Sequence, residues 1–202
     1  MKILAVCSIL FFLKSTSVPR NETANSEVII DSQLTKEEAL KNHGFPTIWV
    51  DSQEIVPVQY YSFDNKLHQG QIVLNKKLVQ DITDIFKEIK EAHFPIAKVI
   101  PIVQYNWSDD ASIADNNTSS FNYRTVAGTK KVSDHAHGRA IDINPWLNPW
   151  VGRKGVSKRP YKPGVPGTIV KGDVVYKAFM KRGWKWGGDW KGGKDYQHFL
   201  KK

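Results

Sequence analysis

The apolar residues of one segment recur at the spacing of a helix face. Between residues 76 and 92 they fall at positions 79, 82, 85, 86 and 89, which places them on one side of an α-helix. The pattern therefore predicts an amphipathic helix over residues 76–92. A second helix is predicted over residues 174–182. A short helix is predicted over residues 36–42, because Thr35 and Glu38 have the spacing of a capping box.

Stretches rich in β-branched and aromatic residues predict the strands. They cover residues 55–61, 69–74, 96–105, 140–143 and 196–200. Pro101 interrupts the third stretch, so that strand is expected at an edge or with a bulge. Helices and strands follow one another without a βαβ rhythm. This order indicates an α+β fold, in which a small antiparallel sheet is flanked by helices.

Two long segments have no periodicity of their own. Residues 109–120 are polar and are predicted to form a loop, and residues 145–167 are rich in Pro, Gly and Lys. A long irregular segment in a compact domain usually lines a binding site. The irregular segment of residues 145–167 is therefore expected to lie beside the functional site.

The N-terminus has the pattern of a secretory signal peptide. Lys2 precedes an apolar run over residues 3–13, and small residues follow at 15–17. An eleven-residue helix rises only ~16 Å, against ~30 Å for the hydrocarbon core of a bilayer. We therefore expect cleavage of residues 1–17, export to the periplasm or cell exterior, and no stable membrane insertion. Residues 18–50 are interpreted as a polar lead-in with the short helix, and residues 51–202 as one catalytic domain.

The chain is basic, with a formal net charge of +9. Loss of Lys2 and Lys14 with the leader lowers this charge to +7, which would attract anionic polymers such as cell-wall stem peptides. Nucleic acid is a second interpretation of the charge, and a merely solvated surface is a third. The sequence has no finger spacing, heptads or RNA-binding signature. We therefore expect no nucleic-acid partner, and a monomer without disulfides, because Cys7 lies in the leader.

Residues 133–144 contain the densest group of possible metal ligands. In a strand, Asp142 points away from the apolar Ile141 and Ile143, so its carboxylate faces a polar site. His135 precedes it, and Gly138 lets the backbone bend between the two. Histidines in such a strand are also often surface or hydrogen-bonded residues, so the spacing by itself leaves both interpretations open.

A second group lies in the C-terminal tail, where Asp195 precedes His198 by three residues. His135, Asp142 and His198 together provide three N/O ligands, and catalytic zinc sites have this form because the fourth position stays open. A carboxylate beside the metal can accept a proton from water as it attacks an amide. Asp195 has the placement for that role.

The two groups resemble the signatures of the D-Ala-D-Ala carboxypeptidase and dipeptidase family of zinc peptidases. Residues 133–142 match Ser-x-His-x-x-Gly-x-Ala-x-Asp, and residues 195–198 match Asp/Glu-x-x-His. Residues 109–199 are similar to the L-alanyl-D-glutamate endopeptidase branch, which includes phage endolysins. The closer likeness is carried by residues 121–124, 142–145 and 186–190.

The resemblance implies a D-Ala-D-Ala peptidase/Hedgehog-like fold with one Zn²⁺. It implies metal ligation by His135, Asp142 and His198, and a general-base role for Asp195. Arg124 would stabilise the oxyanion of the tetrahedral intermediate. Ser133 would contact the substrate.

Several residues have simpler alternative roles. Arg124 could be a surface residue paired with Asp109 or Asp110, and His137 is more easily explained as a hydrogen-bonded or surface histidine. Three tryptophans could line the bottom of a substrate groove or pack in the core: Trp184, Trp186 and Trp190. Four cations of the long loop could attract acidic peptides or simply be solvated: Lys154, Lys158, Arg159 and Lys162.

The predicted function is a zinc peptidase that acts on peptidoglycan stem peptides, as an L-Ala-D-Glu endopeptidase. The alternatives are a D-Ala-D-Ala carboxypeptidase and a non-catalytic zinc module that binds the cell wall. A binding module has no need of a base at Asp195 or a cation at Arg124, and the presence of both favours an enzyme.

Overall fold

A computed structural model describes residues 27–41, 44–126, 128–155 and 157–202. The predicted signal peptide and the first part of the polar lead-in lie outside these residues. Six elements make up the N-terminal part: β1 (Ile29–Ile30), α1 (Lys36–Ala39), α2 (Thr47–Asp51), β2 (Gln53–Tyr61), β3 (Leu67–Asn75) and α3 (Val79–Glu91).

The remaining elements are short. They are β4 (Lys98–Val99), α4 (Asp109–Ala114), β5 (Asn117–Thr118), β6 (Ala140–Asp142), β7 (Trp150–Val151), α5 (Val174–Met180), β8 (Lys185–Trp186), β9 (Lys194–Asp195) and β10 (His198–Leu200). Single 3₁₀ turns lie at Lys76–Leu78, Ile102–Tyr105, Asp134–His137 and Gly187–Asp189.

Two three-stranded sheets carry the fold. In the first, β2 and β3 form an antiparallel hairpin and β1 pairs with β3 in parallel. The second is antiparallel, with β10 between β6 and β8. Two further strand pairs are β4 with β5, which is parallel, and β7 with β9, which is antiparallel. The α+β fold with a small antiparallel sheet and flanking helices is confirmed.

The amphipathic helix α3 joins the two sheets into one core. Its apolar residues Ile82, Ile85 and Ile89 are fully buried and belong to the same cluster as Ile141 of β6 and Phe199 of β10. Burial of each such side chain stabilises the fold by roughly 1.5–3 kcal/mol. The helix thereby fixes the second sheet against the β2–β3 hairpin.

Two predicted segments differ in the structure, and one helix was not predicted. Residues 109–120 are not a loop: Ser108 caps α4 by accepting a hydrogen bond from the Ala111 N–H, and β5 follows. The strand predicted over residues 96–105 is limited to β4, because Pro101 leads into a 3₁₀ turn. The helix α2 begins directly after Pro46, at the end of the segment that was interpreted as a polar lead-in.

The short N-terminal helix begins as its sequence predicts. Thr35 accepts a hydrogen bond from the Glu38 N–H, and the Glu38 carboxylate accepts one from the Thr35 N–H, which completes the capping box. Ala39 and Leu40 of this region are buried. Within the described ranges, none of the helices has the length and hydropathy needed to cross a membrane.

Candidate metal centre

His135, Asp142 and His198 converge on one point. One ligand atom from each residue lies within 4.8 Å of the others. Asp142 and His198 are direct cross-strand partners on β6 and β10, and His135 lies in the 3₁₀ turn that precedes β6. All three side chains are buried. Two motifs that are far apart in the sequence therefore form one cluster.

Hydrogen bonds show which ring nitrogen of His135 faces the cluster. Its Nδ1 lies 2.7 Å from the carbonyl oxygen of Ser120, which can only accept, so Nδ1 carries the proton. Nε2 faces the cluster and lies 3.2 Å from Nδ1 of His198 and 3.3 Å from Oδ2 of Asp142. A metal ligand needs a free lone pair on the inward nitrogen and a hydrogen-bonded outer nitrogen. A neutral His135 has both.

The electrostatics of the cluster favour a positive charge among its members. Burial would raise the pKa of the Asp142 carboxyl, but His135 and His198 outweigh it and lower that pKa far below its usual range. Burial also disfavours a charged His135, yet the Asp142 carboxylate raises the pKa of the imidazole. A shared proton or a metal cation would meet this requirement. The buried donor set of two imidazoles and one carboxylate suits Zn²⁺.

Asp195 lies beside the cluster with one free oxygen. Its Oδ1 is shielded from solvent and has no hydrogen-bond partner among the described residues. Burial, followed by the negative charge of Asp142, raises the pKa of the Asp195 carboxyl to about 7. The charges of His198, His135 and Arg124 act in the opposite direction. A carboxyl with this pKa can exchange a proton near neutral pH.

Arg124 has features of both of its predicted roles. Its guanidinium pairs with the carboxylate of Asp109 at 3.1 Å, as the simpler alternative predicted. Its charge also acts to lower the pKa values of His135 and Asp195, so it lies within electrostatic reach of the cluster. Nε of Arg124 is shielded from solvent and has no hydrogen-bond partner within the described ranges.

Ser133 is buried and orients His135. Its hydroxyl accepts a hydrogen bond from the His135 N–H at 3.3 Å, at the start of the 3₁₀ turn. This contact gives Ser133 a structural role in addition to the predicted one. Contact with substrate stays a prediction.

The three tryptophans near the C-terminus separate into two groups. Trp184 and Trp186 are buried in the core, where their indole N–H groups donate to Asp81 and to the carbonyl of Tyr196. Trp190 is more than one-third exposed, and its ring centroid lies 5.5 Å from that of His198. Only Trp190 is placed to border the metal centre.

His137 is not part of the cluster. Its ring packs edge-on against Trp49 at 4.2 Å, and burial lowers its pKa. Trp49 lies in α2, so this contact joins the N-terminal region to the turn that carries His135. The interpretation of His137 as a residue without metal chemistry agrees with this packing.

Sequence reasoning missed three supporting contacts. The Ser120 carbonyl fixes the His135 ring, but a main-chain contact leaves no residue-type signal. Gln197 donates to Asp142 Oδ2 at 3.4 Å, and its position within the Asp-x-x-His motif was a usable signal. A Cβ on Gly187 would lie 2.4 Å from the Asp195 carbonyl oxygen, so glycine permits this close approach.

Comparison with known families agrees with this geometry. Residues 127–201 match a family model described as D-alanyl-D-alanine carboxypeptidase. The matched segment contains the three candidate ligands and Asp195, whereas Arg124 lies just before it. No curated protein and no solved structure matches the chain. The family match supports a hydrolase of the peptidase class.

Proposed function

We propose that the protein is a zinc-dependent peptidase that cleaves peptidoglycan stem peptides between L-Ala and D-Glu. The observation that carries the proposal is the convergence of His135, Asp142 and His198 within 4.8 Å. The unpartnered carboxylate oxygen of Asp195 beside them supplies the acid–base group that hydrolysis needs.

In the proposed mechanism, His135, Asp142 and His198 hold the metal. Bound zinc acts as a Lewis acid that polarises a carbonyl and lowers the pKa of water. The Ser120 carbonyl keeps the His135 ring in its orientation, and Ser133 accepts from the His135 backbone N–H at the start of the turn. Gln197 restrains the Asp142 carboxylate in the same way.

Asp195 moves the proton. Its free Oδ1 accepts a proton from the attacking water and then donates it to the leaving amine, a use for which a pKa of about 7 is suited. Arg124 supplies positive charge for the developing oxyanion. The ion pair with Asp109 positions its guanidinium.

The choice of bond rests on resemblance. Residues 142–145 and 186–190 look like the endopeptidase branch, and Asp195 replaces the Glu that dipeptidases carry. The runner-up is removal of a terminal D-Ala, and the description of the matched family favours it. The leader pattern of residues 1–17 supports action outside the cytoplasm.

Digestion of purified peptidoglycan tests the proposal. Mass analysis of the products should show free amino termini at D-Glu and loss of intact L-Ala-D-Glu bonds. Release of single D-Ala residues with these bonds intact would identify the carboxypeptidase instead. An absence of any peptide cleavage by the zinc-loaded protein would contradict the peptidase proposal.

A further inference from the structure

A concavity of about 420 Å³ lies in the long segment between β6 and α5. Its lining residues are Val151, Gly155, Ser157, Arg159, Pro160, Tyr161 and Tyr196. This volume falls within the usual range of roughly 300–1,000 Å³ for small-molecule sites. The proposed mechanism makes no use of it.

Arg159 is the charged residue of this concavity. Its guanidinium lies 4.4 Å from the centroid of the Trp146 ring, and its Nε is shielded from solvent without a hydrogen-bond partner in the described chain. No carboxylate of the described residues forms an ion pair with it. Burial lowers the pKa of Arg159. A shielded donor without an acceptor costs free energy, and an oxygen of an anionic ligand would satisfy the Arg159 Nε–H.

The neighbouring cations differ from Arg159. Lys154, Lys158 and Lys162 are exposed to solvent, as expected of residues that only add surface charge. Arg159 is half-buried and held by the Trp146 ring. The structure therefore distinguishes Arg159 as a candidate binding residue from the three exposed lysines, which the sequence alone could not do.

Two stacked tyrosines form a fixed wall beside Arg159. The rings of Tyr161 and Tyr196 lie 3.6 Å apart and are nearly parallel. The Tyr161 hydroxyl donates to the Ile169 carbonyl at 2.5 Å, and the Tyr196 carbonyl accepts from the indole of Trp186. These bonds hold both tyrosines in place without a ligand. The wall offers an aromatic surface next to a cation.

We propose that this concavity binds a peptide through one of its carboxylates. The planar guanidinium of Arg159 would pair with the carboxylate, since the fork of donors fits two oxygens. The stacked tyrosines and Pro160 would contact the adjoining peptide atoms. Inorganic phosphate shares the anionic chemistry, but it would leave the aromatic wall and most of the volume unused.

The concavity is next to the metal centre along the chain. Tyr196 directly follows Asp195, and Val151 follows Trp150, whose Cα is the cross-strand partner of the Asp195 Cα. A stem peptide has several carboxylates, so one of them can occupy this concavity. That identification of the ligand rests on the proposed function.

Calorimetric titration of the zinc-loaded full chain carrying Asp195→Asn tests the site without turnover. The probes are the tetrapeptide L-Ala-γ-D-Glu-L-Lys-D-Ala, the same peptide with its carboxylates amidated, and sodium phosphate. In this background, Arg159→Gln should weaken tetrapeptide binding about 10-fold, since a hydrogen-bonded charge pair is lost. Lys158→Gln removes the same charge from an exposed neighbour and should change the affinity less than about 2-fold.

Two results would overturn the proposal. One is an equal loss of affinity in the Arg159 and Lys158 variants, which would indicate general surface attraction. The other is phosphate binding as tight as that of the tetrapeptide and equally dependent on Arg159. The amidated peptide should bind weakly and show no further loss with Arg159→Gln.

Arg159→Lys provides a second comparison if the Gln variant folds poorly. It retains the charge but lacks the planar fork, so tetrapeptide affinity should fall several-fold. Unchanged affinity in this variant would contradict the pairing. The titration measures binding of the tetrapeptide and does not depend on cleavage. A failed peptidoglycan digestion would therefore contradict the proposed function without deciding whether the concavity binds the peptide.

Discussion

Each proposed ligand motif is held by neighbours that contribute no ligand atom. The Ser120 carbonyl fixes the tautomer of His135, Ser133 caps its turn, and Gln197 donates to Asp142. Such outer contacts orient a ligand before the metal arrives. The convergence is therefore a property of the folded chain.

Removal of any one ligand should release the metal. His135→Ala, Asp142→Ala and His198→Ala should each lose stoichiometric zinc, because two remaining ligands bind zinc weakly. Elemental analysis of the purified variants, with circular dichroism to verify folding, measures this. His137→Ala is the matched control from the same 3₁₀ turn and should keep its zinc. Full zinc content in all three ligand variants would contradict the assignment.

Asp195→Asn should separate chemistry from metal binding. The amide cannot accept the proton, so turnover should fall roughly 100-fold or more while zinc is retained. Asp189→Asn is the control, because Asp189 pairs with Lys171, outside the cluster. Near-normal turnover in the Asp195→Asn variant would contradict the assignment of Asp195 as the general base and would indicate a structural role.

Arg124→Ala should also retain zinc. Loss of its charge should lower kcat on the order of 100-fold if it stabilises the oxyanion. Asp109→Asn removes the ion-pair partner but keeps the guanidinium, so its effect on kcat should be smaller. An equal effect of the two substitutions would show that the ion pair, and not the cation, is what the reaction requires.

At the scale of single residues, the sequence predicted those candidate site residues that can be recognised from their side-chain type and spacing. His135, Asp142, His198 and Asp195 have recognisable donors at recognisable spacing, and they meet in space. The separation of Trp190 from Trp184 and Trp186 was not predictable, because an aromatic residue has the same pattern in a core and at a rim. Arg159 packs on the ring of Trp146, which precedes it in the same irregular segment, and the spacing of the two residues has no helical or strand period that would reveal the contact.

Among the elements, the turn that carries His135 depends on Gly138. This residue ends the turn with φ +62°, and its carbonyl accepts from the Asn75 N–H of β3 at 2.9 Å. A Cβ here would lie 2.0 Å from Oε1 of Gln53 and 2.6 Å from the Asn75 nitrogen. The β2–β3 hairpin thus approaches the metal motif so closely that only glycine fits.

Gly138→Ala should destabilise the protein by more than the ~1 kcal/mol that a left-handed backbone alone costs. Gly183→Ala isolates the backbone cost, since Gly183 has φ +79° and open space where its Cβ would lie. Thermal unfolding of both variants measures the difference. A similar loss of stability in both would mean that the hairpin moves aside at little cost.

The elements were predictable where periodicity continued for several turns or strand residues. The helix at residues 76–92 appears as a 3₁₀ turn followed by α3, and the β2–β3 hairpin covers the predicted strands. The prediction of a loop at residues 109–114 was wrong because α4 is short and polar, with Ser112 as its buried residue. Its start signal in the sequence is Ser108, which caps the helix.

On the scale of the molecule, the segment that matches a known family shares its core with residues that precede it. Ile141, Ile143 and Phe199 pack in one cluster with residues of β2, β3 and α3. Backbone hydrogen bonds also join the matched segment to earlier residues: the Asn75 N–H donates to the Gly138 carbonyl, and the Asp142 N–H donates to the Ser119 carbonyl. The ligand motifs are therefore supported by residues that precede the matched segment.

A fragment of residues 127–202 should not fold or bind zinc stoichiometrically. It lacks the buried apolar residues of α3, which contribute roughly 1.5–3 kcal/mol each, whereas a whole domain has a net stability of only ~5–15 kcal/mol. It also lacks Ser120, so the His135 ring would lose its orienting acceptor.

Residues 27–202 retain every described element and should unfold cooperatively, with zinc raising the midpoint temperature of unfolding. Circular dichroism with and without zinc compares the two chains. A cooperative, zinc-stabilised transition in the shorter fragment would show that the metal motifs fold without the hairpin and α3, and the support that these elements give to His135 would then be dispensable.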